Sequence, residues 1–197
     1  VTWDDKLRIT KGTDPVKFAF QPRNGGANLD ADSAYVDVAL EVISTDLNDT
    51  LSLIADLDIL DQNPLTIFGG VVNTNNFNIH ANSMIVTSTL TPVELYLGSS
   101  KITLVNGFSD YGGPTTTLFA GTSSINIDYG GLVNSNSFLG NGHIFYDVEL
   151  NFNSNAYSPV SGDNTFNSLK IGEGSRLRIE AGSASVVTNL FKIDGNC

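Results

Sequence analysis

Apolar residues return along this chain about every twenty-two positions. Phe18, Val38, Ile59, Ile79, Ile102, Ile125, Val148, Leu169 and Phe191 follow one another at spacings between 20 and 23 residues. Around most of them apolar and polar residues alternate, as in Asn76-Phe77-Asn78-Ile79, Lys101-Ile102-Thr103-Leu104, Asn126-Ile127-Asp128 and Arg176-Leu177-Arg178-Ile179. A period of two puts every second side chain on one face, which is the mark of a strand. Strands that recur once per about twenty residues, with Gly, Asn and Ser between them and no helix-length apolar stripe, predict a coil whose turns stack on one another. The expected fold is all-β: a right-handed parallel β-helix of about eight to nine turns forming a single domain.

Two stretches differ in regularity. Residues 1–50, broken by Asp14-Pro15, Pro22, Gly25-Gly26 and Asp30-Ala31-Asp32, read as irregular first turns or as an N-terminal cap, because a solenoid end must be covered. Residues 51–197 read as the regular turns, with two or three strands per turn. Gly69-Gly70, Gly112-Gly113, Gly130-Gly131, Gly140, Gly142, Gly172 and Gly174 are placed at the corners, where the chain bends tightly. Asn78, Asn126, Asn151, Asn167 and Asn189 sit beside inward positions. They read either as turn residues or as amides stacked in ladders along the axis.

Composition narrows the function classes. Ten Lys and Arg against 21 Asp and Glu give a formal charge of -11, which repels nucleic acid phosphates and anionic lipid. The same acidity leaves calcium as a possible ligand. The one cysteine, Cys197, excludes an intramolecular disulfide. No run is long and apolar enough to span a bilayer as a helix, and Val1-Thr2-Trp3-Asp4-Asp5 lacks both an initiator Met and a basic-then-apolar leader. The chain therefore reads as a piece of a longer precursor.

Candidate chemistry is sparse. A β-helix enzyme acting on acidic polysaccharide would need carboxylates beside a basic residue on stacked turns. With Ile127, Val148 and Leu169 in register, Asp128, Glu149 and Lys170 would form such a ladder; the preferred reading of that column is an exterior charge stack in which Lys170 relieves repulsion. Asp56, Asp58 and Asp61 are the densest acidic cluster and the candidate calcium ligands. Their alternative role is to charge a strand edge against unwanted pairing. Asn28-Leu29-Asp30-Ala31-Asp32 begins like a calcium loop but has Ser33 and Ala39 where that loop needs Gly and Glu, so an EF-hand is excluded. His80 and His143 have no metal-ligand spacing between them, and no nucleophile elbow, phosphate loop or dinucleotide fingerprint occurs. Among the aromatic residues, Tyr111 and Tyr129 adjoin glycine pairs and are candidates for stacking on sugar rings.

The C-terminal half carries a family resemblance. His143-Ile144-Phe145-Tyr146-Asp147-Val148-Glu149-Leu150, Gly162-Asp163-Asn164-Thr165-Phe166-Asn167-Ser168-Leu169, Gly174-Ser175-Arg176-Leu177 and Ala181-Gly182 resemble the repeats of giant β-helical surface proteins of Bacteroidetes. Gly69-Gly70-Val71-Val72-Asn73-Thr74 and Leu97-Gly98-Ser99-Ser100 look like earlier turns of that family, so the likeness spans residues 51–197 in composition and spacing. The resemblance implies a secreted cell-surface adhesin exported by the type IX system and, in gliding species, carried along the cell. It also implies O-glycosylation at Asp-(Ser/Thr)-aliphatic triplets, which makes Ser33 and Thr50 candidates. The expected role is non-enzymatic, with no cofactor: a rod-forming adhesive module contacting neighbouring modules of the same long chain, and glycans or a solid surface. A polysaccharide lyase or hydrolase and a calcium-stiffened repeat stand as alternatives.

Overall fold

The computed structural model describes residues 9–10, 17–21, 26–31, 35–59, 63–129, 138–152 and 157–194. The first strands are β1 (Ile9–Thr10), β2 (Lys17–Phe20), β3 (Ala27–Leu29), β4 (Tyr35–Asp37), β5 (Ala39–Val42), β6 (Thr50–Leu53) and β7 (Leu57–Ile59). Next come β8 (Leu65–Ile67), β9 (Gly70–Asn73), β10 (Ile79–Val86), β11 (Val93–Tyr96), β12 (Lys101–Asp110), β13 (Thr116–Phe119) and β14 (Ser124–Tyr129). The last are β15 (Phe138–Leu139), β16 (Ile144–Phe152), β17 (Tyr157–Ser161), β18 (Thr165–Ile171), β19 (Arg176–Ile179) and β20 (Val186–Ile193). The sole helical piece among the described residues is a 3-10 turn at Gly113–Thr115.

Among the described residues every strand pairing is parallel, and together the ladders make a β-solenoid in which about six turns can be followed. Three faces wind around one bore. The first face runs β1-β4-β7-β10-β12-β14-β16-β18-β20, and the third runs β3-β6-β9-β11-β13. The second joins β2, β5 and β8 to the C-terminal half of β10, then that of β12, then β15, β17 and β19. β10 and β12 therefore each serve two faces, and β10 changes direction at a register shift between Ala81 and Ser83.

The first-face column is continuous from Ile79. Ile79, Ile102, Ile125, Val148, Leu169 and Phe191 are direct partners, turn upon turn. Earlier members of the beat fall elsewhere. Ile59 pairs with Val36, Leu57 pairs with Ile79, Val38 lies between β4 and β5, and Phe18 pairs with Leu40 on the second face. A beat of about twenty residues fixes which turn a residue belongs to, but two inward positions on one strand differ by only two, and that difference is lost in uneven corners. The strands described before residue 51 enter the same parallel ladders as those after it.

Inward aliphatic and aromatic side chains fill the bore as one cluster from Phe20 to Ile171. Near β5, β6 and β8 the enclosed space left over is about 10 Å³, about the least that admits a water molecule. Between turns, side chains add rungs to the backbone ladder. Asn78 Oδ1 accepts from Lys101 N at 2.9 Å, Asn76 Oδ1 from Ser99 N at 2.9 Å, and buried Asn164 from Gly142 N at 3.1 Å. Most of these asparagines bond to backbone across a corner, which is turn chemistry. A direct amide-to-amide rung joins Asn106 to Asn82 at 2.8 Å.

Candidate functional site

The carboxylates singled out from sequence are spread along the first face. Because Ile125, rather than Ile127, is the partner of Val148, the outward column reads Asn126, Glu149, Lys170, Lys192, and Asp128 stands two positions aside opposite Asn151. The expected Asp128-Glu149-Lys170 ladder is thereby corrected to a Glu149-Lys170 neighbourhood, in which Glu149 Oε1 also accepts from Asn151 Nδ2 at 3.2 Å. The fault lay in a register slip of two residues, which preserves the inward and outward pattern and so leaves no trace in it.

The acidic cluster serves the ladder too. Asp56 accepts from Asn78 N at 2.7 Å and from Asn78 Nδ2 at 3.0 Å, and Asp58 meets His80 Nδ1 at 3.1 Å. Asp61 lies outside the described residues, as does Ser33. Among the described residues no group of three or more His, Cys, Asp or Glu is gathered. Thr50 opens β6 and pairs with Val71, so it belongs to a strand. It borders a shallow polar groove with Gly26 and Asn28. Tyr111 is exposed between β12 and the 3-10 turn, and Tyr129 closes β14.

Sequence reasoning did not bring Asp110 and His143 together. Asp110, 1% exposed, ends β12. Its Oδ2 lies 2.7 Å from His143 Nε2, and its Oδ1 accepts from Gly112 N at 2.7 Å and from the Thr116 hydroxyl at 3.0 Å. The carboxylate thus ties together the end of β12, the 3-10 turn, the start of β13 and the turn before β16. Its three donors account for its burial without solvent.

Directly beside this knot the coil changes cross-section. From Ser109 on the second face to Ser124 on the first, the chain takes fifteen residues and builds β13 on the way. In the next turns the matching paths, Leu139 to Asp147 and Ser161 to Ser168, take eight and seven. Such short paths leave out the third-face strand, so that face ends at β13 and a step is left in the side of the rod. Phe145 closes the bore there, packed against Phe108, Phe138 and Phe166 with ring centroids 4.8 to 5.7 Å apart. Its neighbours Ile144 and Tyr146 are exposed. With Leu118, Ala120, Thr165 and Thr188 they line a bay of about 300 Å³ that no charged side chain borders. On the outer side of the same step Tyr96 and Phe119 stack, centroids 4.3 Å apart and planes 10° from parallel. The Tyr96 hydroxyl donates to Glu94 at 2.8 Å, and that bond pushes the phenol above its ordinary range. No family model matches the sequence, and no curated protein or solved structure is detectably similar to it.

Proposed function

We propose that this chain is a structural and adhesive module of a large secreted cell-surface adhesin. It extends a right-handed parallel β-helical rod of eight to nine turns, meets neighbouring modules of the same long chain at its ends, and offers its flanks to glycans or solid surfaces. The nine strands of the first face support that turn count, and the strong bias of parallel crossovers supports the hand.

The observation that carries the proposal is the C-terminal end of the coil. Leu169 and Ile171 are buried, yet their partners one turn on, Phe191 and Ile193, are 50% and 57% exposed, and Ile179, Val186 and Leu190 are exposed with them. Phe191, Ile193 and Ile179, the last opposite buried Val160, are inward positions over which no further strand is laid among the described residues, and Val186 and Leu190 stand beside them opposite Thr165 and Ser168. An apolar end in register with the core suits another β-coil, as in a rod built from modules. The acidic side chains, several of them committed to rungs between turns, suit a load-bearing shaft better than a reactive cleft.

Four measurements test the proposal. Joining an adjacent module to residue 197 should raise the melting temperature, and no rise would count against end-on stacking. Immobilised glycan and bare-surface binding by the wild-type chain should be measurable. Release of new reducing ends or double bonds from acidic or neutral polysaccharide would instead establish the lyase or hydrolase, with Glu149 and Lys170 as first suspects. A melting temperature that calcium raises and chelator lowers would establish the calcium-stiffened repeat.

A further inference from the structure

The step at β13 has a property that stands apart from adhesion by the rod as a whole: it leaves a strand edge open in the middle of the molecule. Among the described residues β13 pairs only with β11. Along a strand, alternate residues turn both their N–H and C=O to the same side. The Phe119 carbonyl accepts from Leu97 N at 3.0 Å, so Phe119 and Thr117 face β11. The Thr116 N–H is used by Gly113 O and the Ala120 carbonyl by Ser123 N. That leaves the Leu118 N–H and C=O facing the step, flanked by the Thr116 carbonyl and the Ala120 N–H.

We propose that this edge accepts an extended polypeptide as one further parallel strand of the third face, its aliphatic side chain seated in the bay beside Leu118 and its flanking residues basic. The existing ladder specifies the first requirement. Val72, Leu95 and Leu118 are successive inward partners; Val72 and Leu95 are buried by the strand above, whereas Leu118 is only partly covered. A strand laid in register would place an inward aliphatic residue over Leu118, against Ile144 and Tyr146, and would give the Leu118 N–H and C=O their partners. Strand addition of this kind draws affinity from main-chain bonds and selectivity from alternate side-chain pockets.

Charge specifies the second requirement. Between residues 24 and 169 the sequence has 15 Asp and Glu and a single basic residue, Lys101. Glu94 lies one strand below Thr117 in the same outward column. That field favours a basic peptide and opposes a second copy of this acidic chain. A sugar is less well served by the bay, where the Thr188 hydroxyl already donates to Phe166 O at 3.2 Å and the Asn167 amide to Asp147 at 3.4 Å.

Amide hydrogen exchange resolved by residue tests this on the wild-type protein. In the free chain the Leu118 amide should exchange fast while that of Phe119 is protected; protection of Leu118 without any addition would show that the edge is already paired and overturn the proposal. The peptide Lys-Thr-Lys-Leu-Lys-Thr-Lys should then slow Leu118 exchange. The same peptide methylated on the nitrogen of the lysine that follows leucine, whose N–H a parallel ladder aims at the Leu118 carbonyl, should not, and I144K should weaken binding about tenfold without shifting the melting temperature. Absence of protection up to about 1 mM peptide, equal binding of the methylated peptide, protection by a neutral oligosaccharide instead, or protection that appears with protein concentration alone would each overturn it.

Discussion

At the scale of single residues, the strongest constraint outside the bore is one carboxylate. Asp110 is buried and takes its three hydrogen bonds from residues 2, 6 and 33 positions away in sequence. Removing it leaves a backbone N–H, a hydroxyl and an imidazole without their acceptor, so Asp110→Ala should lower stability by about 3 kcal/mol in urea titration. A loss below about 1 kcal/mol would mean that solvent replaces the carboxylate freely. None of this was legible in sequence, where His143 is simply a histidine without ligand spacing; its partner is decided by how the corners fold. Tyr96 is a gentler case. The hydrogen bond to Glu94 favours the neutral phenol, so the folded-state value is raised above about 10. The associated stabilisation is complete below the unfolded value and disappears as pH rises through the folded one. In Glu94→Gln the ionisation midpoint of Tyr96, followed by NMR, should fall back toward the ordinary value; an unchanged midpoint would remove Glu94 as the cause.

At the scale of elements, the strands were legible and their register only partly so. Period-two alternation is written into each strand by burial on one face, which is why Lys101-Ile102-Thr103-Leu104 announces itself. The first-face column from Ile79 to Leu169 follows because those turns keep nearly constant length. The end of the third face was missed because it depends on short paths that remove a strand, and alternation reports strands that are present. Ile125 tests the column: it is 1% exposed, between Ile102 and Val148. Ile125→Asp buries an unpaired charge, and a loss of about 4 kcal/mol is expected, with an unchanged melting curve showing the side chain not to be inward. The corners admit a paired test. Gly121 and Gly182 both have positive φ, of 60° and 86°. A Cβ on Gly121 would run into the Gly98 carbonyl of the turn below, whereas one on Gly182 meets nothing within 4 Å. Gly182→Ala should therefore cost about 1 kcal/mol for backbone strain alone, and Gly121→Ala clearly more. Equal losses would mean that stacked corners can move apart.

At the scale of the whole molecule, a solenoid distributes its core along an axis, so what decides its solution behaviour is how each end is covered. Here the C-terminal end presents Leu190, Phe191 and Ile193 to solvent, and among the described residues β19 and β20 each pair on one side only. An apolar face beside unpaired strand edges invites association with another β-coil, and charged side chains are the usual means of preventing it. Here Arg178 with Glu180 and Lys192 with Asp194 pair within the last strands and the residue following each, so the charges near the face largely cancel. The chain taken by itself should consequently self-associate through this end despite its net charge of -11. Replacing Leu190 and Ile193 together with Lys should abolish that association in sedimentation while changing the unfolding free energy by no more than about 0.5 kcal/mol per site, because both side chains are already exposed. If the double variant instead unfolds at a much lower temperature, these residues stabilise the last turn from within and the end is closed. If wild type stays monomeric at every concentration, the exposed columns are too small to act as an interface, and the case for coverage by a neighbouring coil fails with them.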